Sequence, residues 1–288
     1  MLVRASCAAA LVVCALAGGR LWAESAPSAW LARVNYYRST ASLPSVVEDP
    51  ALSLAVSRHA HYMVKHGVVK HSEHPGERWA TPEGAAAAAA SNLAGSTSQA
   101  ETDEWAVDLW MQAPFHALGI LDPALERVGY AIDHEGRGRI QTAAGLDVLH
   151  GRAAEAHAAY PITWPANGAT IPITTHISEY PDPLASCPGY SAPAGLPLIV
   201  QMGSGLGVPR VTGSWITDGE RWLEHCTFDE STYRNRDAAQ QTLGRSILAA
   251  RDAIVLIPRA PLRNGVSYRA GVDVDGRVVD WRFSVRAE

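Results

Sequence analysis

The histidines are the residues of this chain best suited to binding a metal ion or transferring a proton. Five of the eleven lie within sixteen residues. The candidates for metal binding or proton transfer are His59, His61, His66, His71, His74 and His116. No H-E-x-x-H and no C-x-x-C sequence is present, so two familiar signatures of a zinc site are missing.

Three of these histidines lie on one predicted helix. Asp49-Pro50 predicts the start of this helix and Gly67 its end. On a helix, His59 and His61 point about 200° apart, and His66 lies two turns, about 10 Å, beyond His59. We therefore expect each of the three to be packed in the core or exposed to solvent, with no shared metal ion.

His71 and His74 lie in the loop that follows this helix, where their positions are less restricted. His116 follows Pro114, which is expected to end a later helix. A loop histidine beside His116 would supply half of a zinc site, with a carboxylate or water completing it. The same pair could instead form a polar pocket without metal, so both interpretations stay open.

The sequence offers little for nucleophilic catalysis. It contains no G-x-S-x-G turn. Ser72 and His71 are neighbours only in the chain, and adjacent loop residues rarely point at each other. No catalytic residue is therefore assigned, and a role without catalysis is favoured.

Composition indicates an ordinary globular protein of 288 residues, long enough for two domains. The net charge is -5, 18% of residues are charged, and no long run has a single sign. Nothing therefore favours binding to nucleic acid or to an anionic membrane surface.

The first 26 residues have the pattern of a secretory signal. Arg4 precedes an apolar run, Ala5 to Gly18, and small residues follow near Ala26. The run is shorter than the roughly 20 residues of a membrane span, and no later stretch approaches that length. We expect a secreted, periplasmic or cell-envelope protein. Cys14 only loosely resembles a lipid-attachment site, so cleavage as a free protein is preferred.

Two cysteines, Cys187 and Cys226, remain once the signal is removed. An oxidising compartment favours a disulfide between them. The loop that it closes, of about 40 residues, corresponds to roughly 4 kcal/mol in the chain-entropy treatment. The alternative is two separate buried thiols.

The first half of the chain predicts an α+β domain that ends near Arg152. Helices are expected over 28–38 and 50–66, and a third from a capping box of Ser98 and Glu101. Residues 67–96 are expected to form an irregular surface connection. Residues 127–133 and 139–149 predict two strands of a hairpin.

Beyond a linker at 153–160, residues 161–288 predict a β-sandwich of the immunoglobulin type with at least six strands. Alternating residues on each side of Asp275-Gly276 predict a hairpin. Asp218-Gly219 predicts a second one, and 236–251 a helical insertion.

Several short motifs occur in an order and spacing that resemble the CAP superfamily, the cysteine-rich secretory, antigen 5 and pathogenesis-related 1 proteins, in its bacterial form. The resemblance covers about 28–152. Its motifs are Trp30-x3-Val34-Asn35-x2-Arg38, Pro50-x-Leu52, Ala55, His59-Ala60, His71-Ser72, Asn92-Leu93-Ala94, Trp110-x5-His116 and Val128-Gly129-Tyr130.

The resemblance implies an exported α-β-α sandwich with a cavity that many members line with two histidines and two acids. By position the histidines are His71 and His116, the possible ligands of zinc. Ser91 stands where the family has one acid, and Ala113 where animal and plant members often have the other. Loss of both acids removes the charged ligands of a divalent metal, unless a loop glutamate, Glu73 or Glu77, replaces them. The expected cavity residues are His71, Ser72, Ser91, Asn92 and His116.

The sequence thus predicts an exported binding or cell-envelope module, with a small or lipidic ligand or a cell-wall component as its partner. The alternative is a metal-assisted hydrolase that uses His71 and His116. The carboxy-terminal part is similar to immunoglobulin-like modules of bacterial surface proteins, through Ile257 to Leu262, Gly265, Tyr268 and Trp281 to Phe283.

Overall fold

The computed structural model describes residues 27–156 and 158–287. The predicted secretory signal, with Cys14, lies outside these residues. Within them, no helix has both the length and the apolar character needed to cross a membrane.

Five helices belong to the first half of the described chain. The second of them begins and ends as predicted: the Asp49 carboxylate accepts a hydrogen bond from Ala51 N at 2.9 Å, Pro50 occupies the first turn, and Gly67 ends the helix at φ 66°. The helices are α1 (Ala29–Ser39), α2 (Pro50–His66), α3 (Pro82–Ala90), α4 (Trp105–Met111) and α5 (Pro114–Ile120).

A four-stranded sheet lies beside these helices, in the order β1-β3-β4-β2. Its strands are β1 (Val47–Glu48), β2 (Ser91–Ser96), β3 (Arg127–Asp133) and β4 (Thr142–Asp147). β3 and β4 form the predicted antiparallel hairpin, β2 pairs with β4 antiparallel, and β1 pairs with β3 in parallel.

The prediction of an irregular connection over 67–96 is wrong, because this segment contains α3 and β2. Thr81 caps α3 by accepting a hydrogen bond from Gly84 N at 2.9 Å, and Pro82 begins the helix. The same kind of signal identified α2. The alanine run is partly buried, with Ala88 fully so.

The predicted start of the third helix is also wrong. The Ser96 hydroxyl donates to the Glu101 carboxylate at 2.6 Å, and α4 begins only at Trp105. Pro114 separates α4 from α5, as expected of a helix break, but it also starts the next helix. His116 therefore lies on α5.

The second half of the described chain is rich in β-structure. It forms two four-stranded sheets, β5-β7-β10-β9 and β6-β12-β11-β8. The elements are β5 (Ile162–Trp164), β6 (Thr170–Ile171), a 3-10 helix (Pro183–Ser186), β7 (Leu198–Gln201), β8 (Val211–Thr217), β9 (His225–Phe228), α6 (Ala238–Ala249), β10 (Ala253–Pro258), β11 (Ser267–Val274) and β12 (Arg277–Val285). The fold is α+β, as predicted, and α6 confirms the helical insertion.

One of the two predicted hairpins is present. β11 and β12 pair across Asp275 and Gly276, whose φ angles are 52° and 75°. The turn at Asp218-Gly219 also forms and is closed by an antiparallel bridge between Thr217 and Trp222, but the predicted hairpin goes no further: β8 pairs with β11, and β9 pairs with β10 of the other sheet. The chain passes from one sheet to the other here, which local alternation of side chains does not reveal.

The predicted disulfide between Cys187 and Cys226 is present, with the two Cα atoms 5.6 Å apart. It ties the segment after the 3-10 helix to β9.

Residues on both sides of 153–160 contribute to one continuous hydrophobic cluster. Polar contacts cross the same boundary: Trp164 Nε1 donates to Thr40 Oγ1 at 3.0 Å, and Gln201 Nε2 donates to Leu121 O at 2.8 Å. Phe115 of α5 contacts Tyr233, with ring centroids 5.3 Å apart. The position of α5 thus depends on both halves.

Arg38 is a fully buried cation that organises the chain around α5. Its guanidinium donates to four main-chain carbonyls, those of Pro44, Ile120, Asp122 and Leu125, at 2.8 to 3.2 Å. These contacts hold the end of α1 against the loop after α5. Burial lowers the pKa of Arg38 to about 10, and the nearby Asp122 charge opposes this shift.

We predict that Arg38→Met lowers the free energy of unfolding by about 3 to 5 kcal/mol, because it leaves several buried carbonyls without donors. Urea denaturation measures the change. The control is Arg127→Met, whose ion pair with Asp49 is exposed and should contribute at most about 1 kcal/mol. Equal losses in the two variants would contradict the prediction.

We also predict that the double variant Cys187→Ala/Cys226→Ala unfolds with a free energy about 4 kcal/mol lower than the wild type. The disulfide spans a sequence separation of 39, and its loss restores the conformational entropy of that loop in the unfolded chain. Urea denaturation under oxidising conditions provides the test, and a loss below about 1 kcal/mol would contradict this entropic account.

Candidate functional site

A groove of about 840 Å³ lies where the two halves of the described chain meet. One wall comes from β2 and the α4–α5 region, and the other from residues 177–180 and α6. Large apolar side chains that remain exposed surround it; they are Val69, Leu149, Tyr180 and Leu243, each at least 40% exposed. A mostly apolar cavity with a few polar groups is the usual form of a small-molecule site.

α6 is held against the groove by close packing of its glycine. A Cβ atom at Gly244 would lie 2.5 Å from Cε1 of Tyr233, so only glycine allows this approach. Tyr233 is buried, and its hydroxyl donates to Asp182 O at 2.8 Å. Leu243 and Ile247, on each side of this contact, therefore have a fixed place in the groove wall.

His116 is bound to a carboxylate from the second half of the chain. Its Nδ1 lies 2.7 Å from Oε2 of Glu179, and the same carboxylate accepts hydrogen bonds from Phe115 N and His116 N at 3.1 and 3.2 Å. The Glu179 side chain is 1% exposed. Since a carboxylate accepts, Nδ1 carries the proton, and in the neutral ring Nε2 keeps its lone pair.

His71 has a similar arrangement, with its Nδ1 bound to a main-chain oxygen of α3. Its Nδ1 donates to Ala88 O at 2.9 Å, which leaves Nε2 as the acceptor. Desolvation lowers the pKa of His71, and the charge of His116 lowers it further, against the opposing effect of the Ala88 hydrogen bond. A lowered pKa favours the neutral ring at pH 7.

The structure places four of the five predicted cavity residues in the lining of the groove: His71, Ser91, Asn92 and His116. Asn92 Nδ2 donates to His116 O at 3.0 Å, which fixes β2 against α5. The hydroxyl of Ser91 is buried and has no hydrogen-bond partner among the described residues. Ser72 is exposed and does not line the groove.

Neither loop glutamate replaces the missing acids. Glu73 is buried against His59, with Oε1 2.9 Å from Nδ1, and Glu77 accepts a hydrogen bond from the Tyr62 hydroxyl. The acid in the groove is Glu179. Sequence reasoning missed it because it lies about 60 residues beyond His116, in a proline-rich segment where no local pattern marks it.

His59 is 1% exposed, as expected of a histidine on the buried face of α2. Its second ring nitrogen, Nε2, lies 2.9 Å from Lys70 O. It does not line the groove.

His71 and His116 meet part of the requirement for a metal site. Each has its Nδ1 bound to an acceptor and its Nε2 available, as metal-binding histidines usually do. Both oxygens of Glu179 are already engaged with α5 and His116, so the protein offers two ligands where catalytic zinc has three. Among the described residues, the cluster of three potential ligands lies elsewhere, at His61, Asp133 and Glu135.

Comparison with known proteins identifies one family that part of the chain resembles. No curated protein matches the chain. Residues 31–143 match the family model described as CAP, Cysteine-rich secretory protein family. The matched stretch contains the four groove residues from β2, α5 and the loop after α2, whereas Glu179 and α6 lie outside it. The match supports a CAP region of the cysteine-rich secretory protein family over residues 31–143.

Proposed function

We propose that this is an exported CAP-domain protein that binds an apolar, lipid-like ligand in the groove and does not transform it. The observation that supports this most directly is the ring of exposed apolar side chains around the groove. Contiguous exposed apolar surface is uncommon on soluble proteins and usually marks an interaction site.

The size of the groove suits a small molecule with a chain of several carbons. Its volume falls within the roughly 300 to 1,000 Å³ typical of ligand pockets. Burial of ten methylene groups would contribute about 8 kcal/mol, which corresponds to a dissociation constant of about 1 μM before the cost of ordering the ligand. Apolar contact alone is therefore sufficient for measurable binding.

The proposal includes a domain organisation and a location. A secretory signal over 1–26 would be removed, leaving a CAP domain at 27–152, a linker at 153–160 and an immunoglobulin-like domain at 161–288. The family match and the Cys187–Cys226 disulfide support export to an oxidising compartment. The paired four-stranded sheets support the second domain. The protein would then be secreted, periplasmic or associated with the cell envelope.

We expect Leu243→Asp to weaken binding of a fluorescent long-chain alcohol by about tenfold or more, because it places a charge in the apolar wall. Fluorescence titration measures the affinity. The matched control is Val278→Asp, an exposed apolar residue of β12 that does not line the groove. Wild-type protein that binds no such probe at micromolar concentration would overturn the proposal.

A second candidate function is metal-assisted hydrolysis by His71 and His116, favoured by their two available Nε2 atoms. Bound zinc would supply Lewis-acid activation of a water molecule. Glu179 would orient the His116 ring and fix its tautomer, and the lowered pKa of His71 would keep that ring free of a proton at neutral pH.

This alternative predicts that the wild type retains close to one equivalent of zinc after mild dialysis and that His116→Ala loses it. Elemental analysis and the shift of melting temperature on adding zinc are the two measurements. His150→Ala is the control, since His150 forms a similar pair with Asp147 outside the groove. A metal-free wild type whose melting temperature does not respond to zinc would eliminate the alternative.

A further inference from the structure

Arg251 is a buried cation in the lining of the otherwise apolar groove. It is 6% exposed and follows α6 in the chain. Its Nη2 donates to Oδ2 of Asp122 at 2.7 Å, while its Nε is buried without a hydrogen-bond partner among the described residues. Its Nη1 donates no hydrogen bond within that part of the chain either. A guanidinium has five N–H donors, and most of these remain unused.

The nearby acid does not belong to Arg251 alone. Oδ2 of Asp122 also lies 2.8 Å from Nε of Arg152. Arg38 donates to the main-chain oxygen of the same aspartate at 2.9 Å. Asp252, the next residue after Arg251, directs its carboxylate to the N–H groups of Gly205 and Gly207. The two positive charges of Arg251 and Arg152 therefore exceed the single negative charge of the Asp122 carboxylate that they share.

The other charged residues of the groove leave this excess uncompensated. Among the residues that line it, Glu179 is the single acid, and it is committed to three N–H groups of α5 and His116. Lys70 also lines the groove and adds a second cation. An uncharged ligand would leave these buried donors without partners, whereas an anionic group would accept hydrogen bonds from them.

We propose that the ligand is a single-chain amphiphile with an anionic head, a carboxylate or a phosphate, which binds at Arg251. This rests on the proposed binding function and specifies its ligand. The apolar chain lies against Leu243 and Ile247 of α6, and the head accepts hydrogen bonds from the guanidinium. Arginine matches planar carboxylates and phosphates through paired N–H donors, and charge-assisted bonds of this kind are about twice as strong as neutral ones.

The test compares ligands that share a sixteen-carbon chain and differ in the head: palmitate, hexadecyl phosphate and hexadecanol. Displacement of a fluorescent long-chain probe from the wild type gives each affinity. We expect at least one anion to bind about tenfold or more tightly than the alcohol. A preference for palmitate over the phosphate indicates a fatty acid, and the reverse indicates a phosphorylated lipid.

The matched variants are Arg251→Gln and Arg152→Gln. The first should abolish the preference for the anion over hexadecanol, whereas the second should keep it, because Arg152 shares Asp122 but does not line the groove. If Arg251→Gln does not fold, the anion-to-alcohol ratio of the wild type still decides. Equal affinities overturn the anionic head and leave the binding function intact, whereas no binding of any ligand overturns both.

Discussion

The carboxylate of Glu179 joins two distant parts of the chain at the start of α5. It accepts hydrogen bonds from three N–H groups of Phe115 and His116, and its side chain is almost completely buried. A buried carboxylate of this kind must be fully hydrogen-bonded, since an unpaired buried charge is costly. The consequence is mutual: α5 fixes the position of the 177–180 segment, and that segment fixes the ring of His116. The groove exists because these two surfaces are held together.

This dependence explains why the stretch that matches the CAP model, which lacks the two acids that the family resemblance leads one to expect, still has a carboxylate beside His116. Ser91 and Ala113 occupy the positions of the missing acids within the matched stretch. Glu179 enters from the β-rich half and approaches His116 from the Nδ1 side. Its role is therefore to orient the ring and not to bind a metal alongside it. The polar character of the site survives, but the arrangement of its charges is different.

Much of the fold could be predicted because its signals are local. Asp49, Pro50 and Gly67 set the ends of α2, and Asp275-Gly276 sets the turn between β11 and β12. The order of several motifs resembles that of a known family, and this resemblance predicted that His71 and His116 line one cavity. No single residue pattern would have predicted it.

The errors have physical causes as well. Hydrogen bonding between Ser96 and Glu101 replaces the expected helix start, and strands β8 and β9 separate because each finds its partner far away in the chain. Contacts such as Glu179 with His116 or Arg251 with Asp122 join residues more than 60 positions apart, and no local pattern encodes them.

The place of α6 has a consequence for how the specificity of such a protein could change. The helix lies between β9 and β10 as an insertion, and it supplies Leu243 and Ile247 to a cavity whose other wall comes from β2 and the α4–α5 region, within the stretch that matches the CAP model. Substitutions on its exposed face alter what the cavity accepts without entering the core of either sheet. For the proposed binding function, β2 and the α4–α5 region would be the constant wall, and the inserted helix the exchangeable one. We therefore expect the ligand preference of this protein to respond most readily to substitutions in the twelve residues of α6.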